Sequence, residues 1–145
     1  MKKLILPFSI LALLFTSCSS DDDATASTQD PFIGTWSYYK YLENGVEQPL
    51  DPCENEETIV VSENGDFSAV YYDDNIDGDC VLDETFTGTW SNSGNSIYDF
   101  TGDEGATSSL ITFEGNTFYF IDSYDNGTPD DTSDDIVYKD VYLRQ

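Results

Sequence analysis

From residue 31 onward apolar and polar positions alternate in short runs, and no stretch keeps a helical repeat for ten residues. Successive side chains of an extended chain point to opposite faces, so a period of two marks a strand with one buried and one wet face. The clearest run is Glu84-Thr85-Phe86-Thr87-Gly88-Thr89-Trp90, which places Phe86, Gly88 and Trp90 on one face and the three threonines on the other. Eight runs rich in Tyr, Phe, Val, Ile and Thr predict strands at 33–42, 57–62, 66–72, 84–91, 96–101, 107–114, 116–122 and 135–144. Between them Asn64-Gly65, Ser93-Gly94-Asn95 and Gly115-Asn116 supply the left-handed backbone of tight turns. Tight turns make antiparallel neighbours of successive strands, and eight such strands can close on themselves and leave no open edge. The expected fold is therefore all-β, an eight-stranded antiparallel up-and-down barrel over residues 31–145. A barrel of eight strands is either filled by its own side chains or holds one small ligand, and the pattern leaves both open.

The first thirty residues follow another logic. Lys2 and Lys3 precede an apolar run from Leu4 to Phe15, which closes on Thr16-Ser17-Cys18. That run is too short to cross a hydrocarbon core that takes about 20 helical residues, and residues 1–17 read as a signal peptide. Phe15-Thr16-Ser17-Cys18 resembles the lipobox of bacterial lipoproteins, with Phe15 where Leu, Val or Ile is usual. The resemblance implies cleavage before Cys18 and attachment of lipid to its thiol, so that acyl chains hold the protein to a membrane at about 0.8 kcal/mol per buried methylene. The competing reading is an ordinary secretory signal with an incidental cysteine. Residues 18–30 continue from Cys18 through Ser19-Ser20-Asp21-Asp22-Asp23 to Asp30 with no aliphatic side chain larger than alanine, and read as a disordered acidic tether. Serines followed by several acids also resemble the signal that routes lipoproteins of certain Gram-negative bacteria outward. This implies a surface-exposed outer-membrane lipoprotein, against the alternative of a plain solvated spacer.

Charge narrows the partners. The chain carries 29 Asp and Glu against 5 Lys and Arg, a formal charge of −24 that becomes −26 once residues 1–17 are removed. A duplex backbone would be repelled, which excludes nucleic acid as an electrostatic partner. An aromatic content of 14% separates the chain from disordered acidic tails, which lack the rings to build a core. Histidine is absent, and neither a nucleophile elbow nor a phosphate-cradling glycine loop is present, so no enzyme is expected. With Cys18 assigned to lipid, Cys53 and Cys80 remain as an even pair, predicted to form one disulfide in an oxidising compartment, with two free thiols as the alternative.

Gly34-Thr35-Trp36-Ser37, Gly88-Thr89-Trp90-Ser91, the intervening cysteine pair and the terminal Tyr142-Leu143-Arg144 follow one another in an order that resembles the lipocalin-like domain of bacterial lipoproteins. The resemblance spans essentially all of residues 31–145. It implies that Trp36 plugs one end of the barrel and Arg144 packs across it, where the bland alternative is an ordinary core tryptophan and a frayed terminal arginine. It also implies binding of a small apolar molecule, with Phe67, Tyr71, Phe86 and Trp90 as candidate pocket lining or plain core.

Asp73-Asp74-Asn75-Ile76-Asp77-Gly78-Asp79-Cys80-Val81-Leu82-Asp83-Glu84 matches the spacing D-x-[DN]-x-[DN]-G-x5-E of calcium loops. Asp73, Asn75, Asp77 and Glu84 would ligate through side chains and Asp79 through its carbonyl. The competing reading is a solvated loop tied down by the disulfide. No cofactor is otherwise required. Two functions follow: a lipid-anchored binding module, on the cell surface or facing the periplasm, for a small apolar ligand; or a structural surface protein with a solid barrel whose acidic loops bind calcium or a protein partner.

Overall fold

The computed structural model describes residues 29–103, 105–125, 127 and 134–145; the signal segment, Cys18 and the tether as far as residue 28 lie outside the described residues. The described residues form ten strands: β1 (Gly34–Glu43), β2 (Val46–Gln48), β3 (Thr58–Val61), β4 (Asp66–Asp74), β5 (Cys80–Gly94), β6 (Ile97–Gly102), β7 (Gly105–Leu110), β8 (Thr112–Glu114), β9 (Thr117–Tyr124) and β10 (Ile136–Arg144). A 3-10 turn, Glu54–Glu56, lies between β2 and β3. The strands make one sheet in the order β7-β6-β5-β4-β3-β1-β10-β9-β8, with β2 paired to β1. The chain's first and last long strands meet along Trp36–Arg144 to Glu43–Tyr138, which curls the sheet back on itself.

The predicted strand 107–114 is divided. Its alternation is continuous, but Gly105–Leu110 pairs with β6 and Thr112–Glu114 pairs with β9. Ile111 between them is 2% exposed and donates its N–H to the Ser96 carbonyl (2.9 Å). The two ends of the sheet are thus consecutive pieces of one chain segment, and β7 has no ladder to β9. The expected barrel without an open edge is corrected on this point: eight staves curl round, and one seam is joined only over the length of β8. The short β2 and the 3-10 turn, each three residues long, were not expected.

The core fills one end. Phe32, Trp36, Val61, Tyr98, Ile111, Phe118 and Tyr142 form the buried cluster, with Trp90, Phe100, Phe113 and Phe120 packed against it. Phe32 precedes β1 and reaches five other rings, Tyr98 and Phe118 closest at 5.1 and 5.3 Å. Edge-to-face contacts of this kind are each worth about 0.5–1.5 kcal/mol beyond area burial. Asp30 fixes the entry: it accepts hydrogen bonds from the Phe32 N–H (2.8 Å), the Tyr98 hydroxyl (3.0 Å) and the Asn92 amide (2.7 Å). The Trp36 indole N–H donates to the Phe32 carbonyl (2.8 Å), and the Arg144 guanidinium lies 4.1 Å above the Trp36 ring while donating to the Ile33 (2.7 Å) and Pro31 carbonyls. Gly34 is required beside it, because its φ of +148° is disfavoured with a side chain and a β-carbon there would strike the guanidinium.

Candidate ligand-binding site

Above the aromatic end the inward row changes character. Directly opposed residues share a face, so the pairs Phe67↔Gly88, Ala69↔Phe86 and Tyr71↔Glu84 all face inward, continued by Gly88↔Gly102, Phe100↔Thr107 and Gly102↔Gly105. Three glycines and an alanine on this row leave room. The result is a cavity of about 510 Å³ against Phe67, Tyr71, Phe86 and Phe100, with Thr107, Glu84 and Asp103 also on its wall. A deeper space of about 110 Å³ shares Phe67, Ala69, Tyr71 and Phe100 and reaches Ile59, Ile111 and Phe118. A third, of about 400 Å³, shares Tyr71, Glu84 and Phe86 and is otherwise lined by Tyr72 and by the acids Asp51, Glu54, Glu57, Asp73 and Asp83. The larger spaces fall in the range of about 300–1,000 Å³ that small-molecule sites occupy.

The electrostatics of this region are one-sided. Tyr38 on β1 stands opposite Tyr142 on β10, ring centroids 5.2 Å apart, and its hydroxyl donates to Asp140 (2.6 Å). Burial raises the Asp140 carboxyl above its usual range, the Tyr38 hydrogen bond opposes that, and the Asp122 charge adds to it. Burial, then the charges of Glu54 and Asp140, push Glu57 up to about 7. Burial also raises the Tyr71 and Tyr142 hydroxyls, each helped by Glu57 and Asp140. The described basic side chains are all engaged elsewhere: Lys40 pairs with Glu47 (3.0 Å), Lys139 lies 3.4 Å over the Tyr119 ring, and Arg144 sits on Trp36.

A pH dependence follows. Unfolded Glu57 titrates near 4.5, whereas folded Glu57 takes up its proton near 7, so its contribution to stability is complete below about 4.5 and is lost as pH rises through 7. The groups that act on it are Glu54 from the 3-10 turn and Asp140 from β10, and both repel its charge. We expect a higher Tm at pH 5.5 than at pH 8, and a smaller difference in Glu57→Gln. A Tm that falls on acidification over this interval, or a variant with an unchanged difference, would contradict it.

The structure sorts the residues singled out in the sequence. Cys53 and Cys80 form a disulfide with α-carbons 5.2 Å apart. Trp36 is 1% exposed beneath Arg144. Phe67, Tyr71 and Phe86 line the cavity, but Trp90 does not. It lies four residues beyond Phe86, roughly 13 Å along an extended chain, against Phe32 (5.6 Å), with its indole N–H on the Ser62 carbonyl (2.9 Å). The calcium spacing falls on a β-hairpin: the Asn75 side-chain oxygen accepts from the Asp77 and Asp79 N–H groups (2.9 and 3.0 Å), and Asp73 accepts from the Asp74 N–H (2.8 Å). Glu84 faces inward opposite Tyr71. Asp73, Asn75, Asp77, Asp79 and Glu84 are not gathered into a cage, and no group of three or more acidic, histidine or cysteine side chains among the described residues is placed to hold a metal. Tyr38, Glu57 and Asp140 are not among the residues singled out, and Tyr142 figures there only in the terminal Tyr142-Leu143-Arg144 motif. The alternation Tyr138-x-Asp140-x-Tyr142, which sets a carboxylate between two rings on one face, is a signal for Asp140 alone.

A curled antiparallel sheet, plugged at an aromatic end and hollow beyond it, defines a small barrel-like module with a cavity open to solvent. The family model of the lipocalin-like domain matches residues 32–120, and the chain belongs to that family. The match stops before β10, which pairs with β1 and β9. A comparison with curated proteins gives no match.

Proposed function

We propose that the protein is a lipid-anchored binding module whose barrel takes a small apolar molecule. The observation that carries this is the cavity of about 510 Å³ walled by Phe67, Tyr71, Phe86 and Phe100 within a lipocalin-like domain. The lipobox-like Phe15-Thr16-Ser17-Cys18 supports an anchor at Cys18, and the acidic residues after it support export to the outer face of a Gram-negative outer membrane. In this reading residues 18–30 are a spacer that stands the barrel off the lipid surface, and the domain binds rather than catalyses.

A native mass spectrum of the full chain, expressed with export and purified without a delipidating step, tests both parts. The expected result is a protein that lacks residues 1–17, carries acyl mass on Cys18, and releases an additional organic mass on denaturation. An unmodified Cys18 would remove the anchor. A bare folded protein that also takes up no apolar probe would remove the carrier and leave a surface module acting through its exterior.

A further inference from the structure

The charge around the cavity narrows the ligand further, on the premise that the cavity is a binding site. Tyr71, Glu84 and Phe86 belong both to the aromatic cavity and to the acidic space beside it, which Glu57 also lines. An occupant with its body among Phe67, Phe86 and Phe100 therefore has its other end beside Tyr71, Glu84 and Glu57. Asp140 stands behind them, holding the Tyr38 hydroxyl at 2.6 Å. The three described cations are committed to Glu47, the Tyr119 ring and the Trp36 ring, so none offsets these carboxylates.

A second observation points the same way. Tyr142 is 5% exposed, and its hydroxyl has no hydrogen-bond partner among the described residues. That oxygen is not sealed in, because no buried side-chain polar atom lacks a partner. It lies in the electrostatic neighbourhood of Tyr71, Asp140, Tyr38 and Glu57. The cavity wall thus presents the Tyr71 ring and the Glu84 carboxylate, with Glu57 and further acids lining the space that adjoins it.

We propose that the cavity is selective for organic cations, with an apolar body against Phe67, Phe86 and Phe100 and an ammonium-type head between the Tyr71 ring and the carboxylates of Glu57 and Glu84. A cation there gains the attraction of the ring face and of the carboxylates in a partly desolvated site, where both are stronger than in water. A carboxylate or sulfate head would be placed among like charges with no base to meet it, which is the costly arrangement for a desolvated charge. Burial and then the charges of Glu54 and Asp140 raise the Glu57 carboxyl, and a cation bound beside it would favour its ionised form.

The test is a titration of the processed protein with three probes of equal chain length: decyltrimethylammonium, decanol and decanoate, below their aggregation concentrations. The expected order is ammonium tighter than decanol by about ten-fold, equivalent to about 1.4 kcal/mol, and decanoate weakest. Glu57→Gln, and separately Glu84→Gln, should cut the ammonium preference at least about three-fold and leave decanol unchanged, while Glu56→Gln, the same charge change on the exposed turn, leaves the preference intact. Equal binding of all three probes, or tighter decanoate, overturns the selectivity while the carrier reading stands. A preference reduced equally by Glu56→Gln and Glu57→Gln assigns it to general surface charge and also overturns it. If no probe binds, the carrier reading falls and this inference with it. Circular dichroism and Tm of each variant establish that it is folded.

Discussion

Replacing Trp36 with alanine is expected to destabilise the domain by about 3–5 kcal/mol, the range for removing a fully buried large aromatic. Trp36 is 1% exposed and meets Phe118 edge to face with centroids 4.7 Å apart. Its indole N–H satisfies the Phe32 carbonyl, so alanine leaves that acceptor without its donor as well as opening a void. Arg144 loses the ring it covers and keeps only its two carbonyl contacts. Trp36→Phe should fall between, retaining most of the volume while losing the hydrogen bond. Arg144→Met should cost about 1–3 kcal/mol, because the stem still packs while the cation–π contact and the hydrogen bonds to the Ile33 and Pro31 carbonyls go. Urea denaturation measures all three, and the midpoint should fall with the slope unchanged. A loss below about 1 kcal/mol for Trp36→Ala would show that the aromatic end does not hold the barrel together.

Much of this architecture is legible in the sequence, and the reasons are local. The alternation through Phe86, Gly88 and Trp90 fixes which side of β5 is wet, and the tight turns fix antiparallel order, so the all-β barrel-like fold and its family follow from pattern and motif. What alternation does not carry is depth along a strand. Trp90 shares a face with Phe86, yet only Phe86 reaches the cavity, because the strand moves about 3.3 Å per residue from the hollow end to the filled one. Nor does it show a change of partner: Thr107, Ser109, Ile111 and Phe113 alternate without interruption across the point where β7 leaves β6 and β8 joins β9. Phe32, the centre of the core, is not legible in the alternation because it precedes the first strand, where Asp30, the Trp36 indole N–H and long-range ring contacts hold it in place.

The acidic composition both suggested a site and concealed one. Asp73, Asn75, Asp77 and Glu84 sit at calcium-loop spacing, but a hairpin rather than a helix–loop–helix carries them, and Asn75 spends its oxygen closing the turn. Meanwhile Glu57 and Asp140, isolated in sequence by 83 positions, approach closely enough for Asp140 to raise the Glu57 carboxyl. Their proximity depends on β3 and β10 flanking β1 on opposite sides, a long-range pairing that no short spacing encodes.

Removing the Cys53–Cys80 disulfide should destabilise the domain by about 3.5 kcal/mol on the loop-entropy estimate, since it closes a loop with a sequence separation of 27. For a domain of this size that corresponds to a fall in Tm of roughly 10–20 °C. The bridge joins two pieces that no ladder pairs directly. Cys53 caps the 3-10 turn carrying Glu54, and Cys80 opens β5 at its pairing with Asp74, beside the hairpin that leads to Glu84. The backbone of Glu57 receives the Tyr38 N–H (3.1 Å), so the turn also leans on β1. Cys53 is 2% exposed, and a double alanine variant therefore loses a little packing in addition to the cross-link. Reduction of the intact protein with dithiothreitol isolates the cross-link, and circular dichroism of the reduced protein below its Tm should remain that of a β-sheet. If the loss is entropic, ammonium selectivity in the still-folded reduced protein persists near the oxidised level. A selectivity that disappears while the fold remains would instead show that the bridge holds Glu57 against Glu84, making the disulfide a device of the site as well as of the fold.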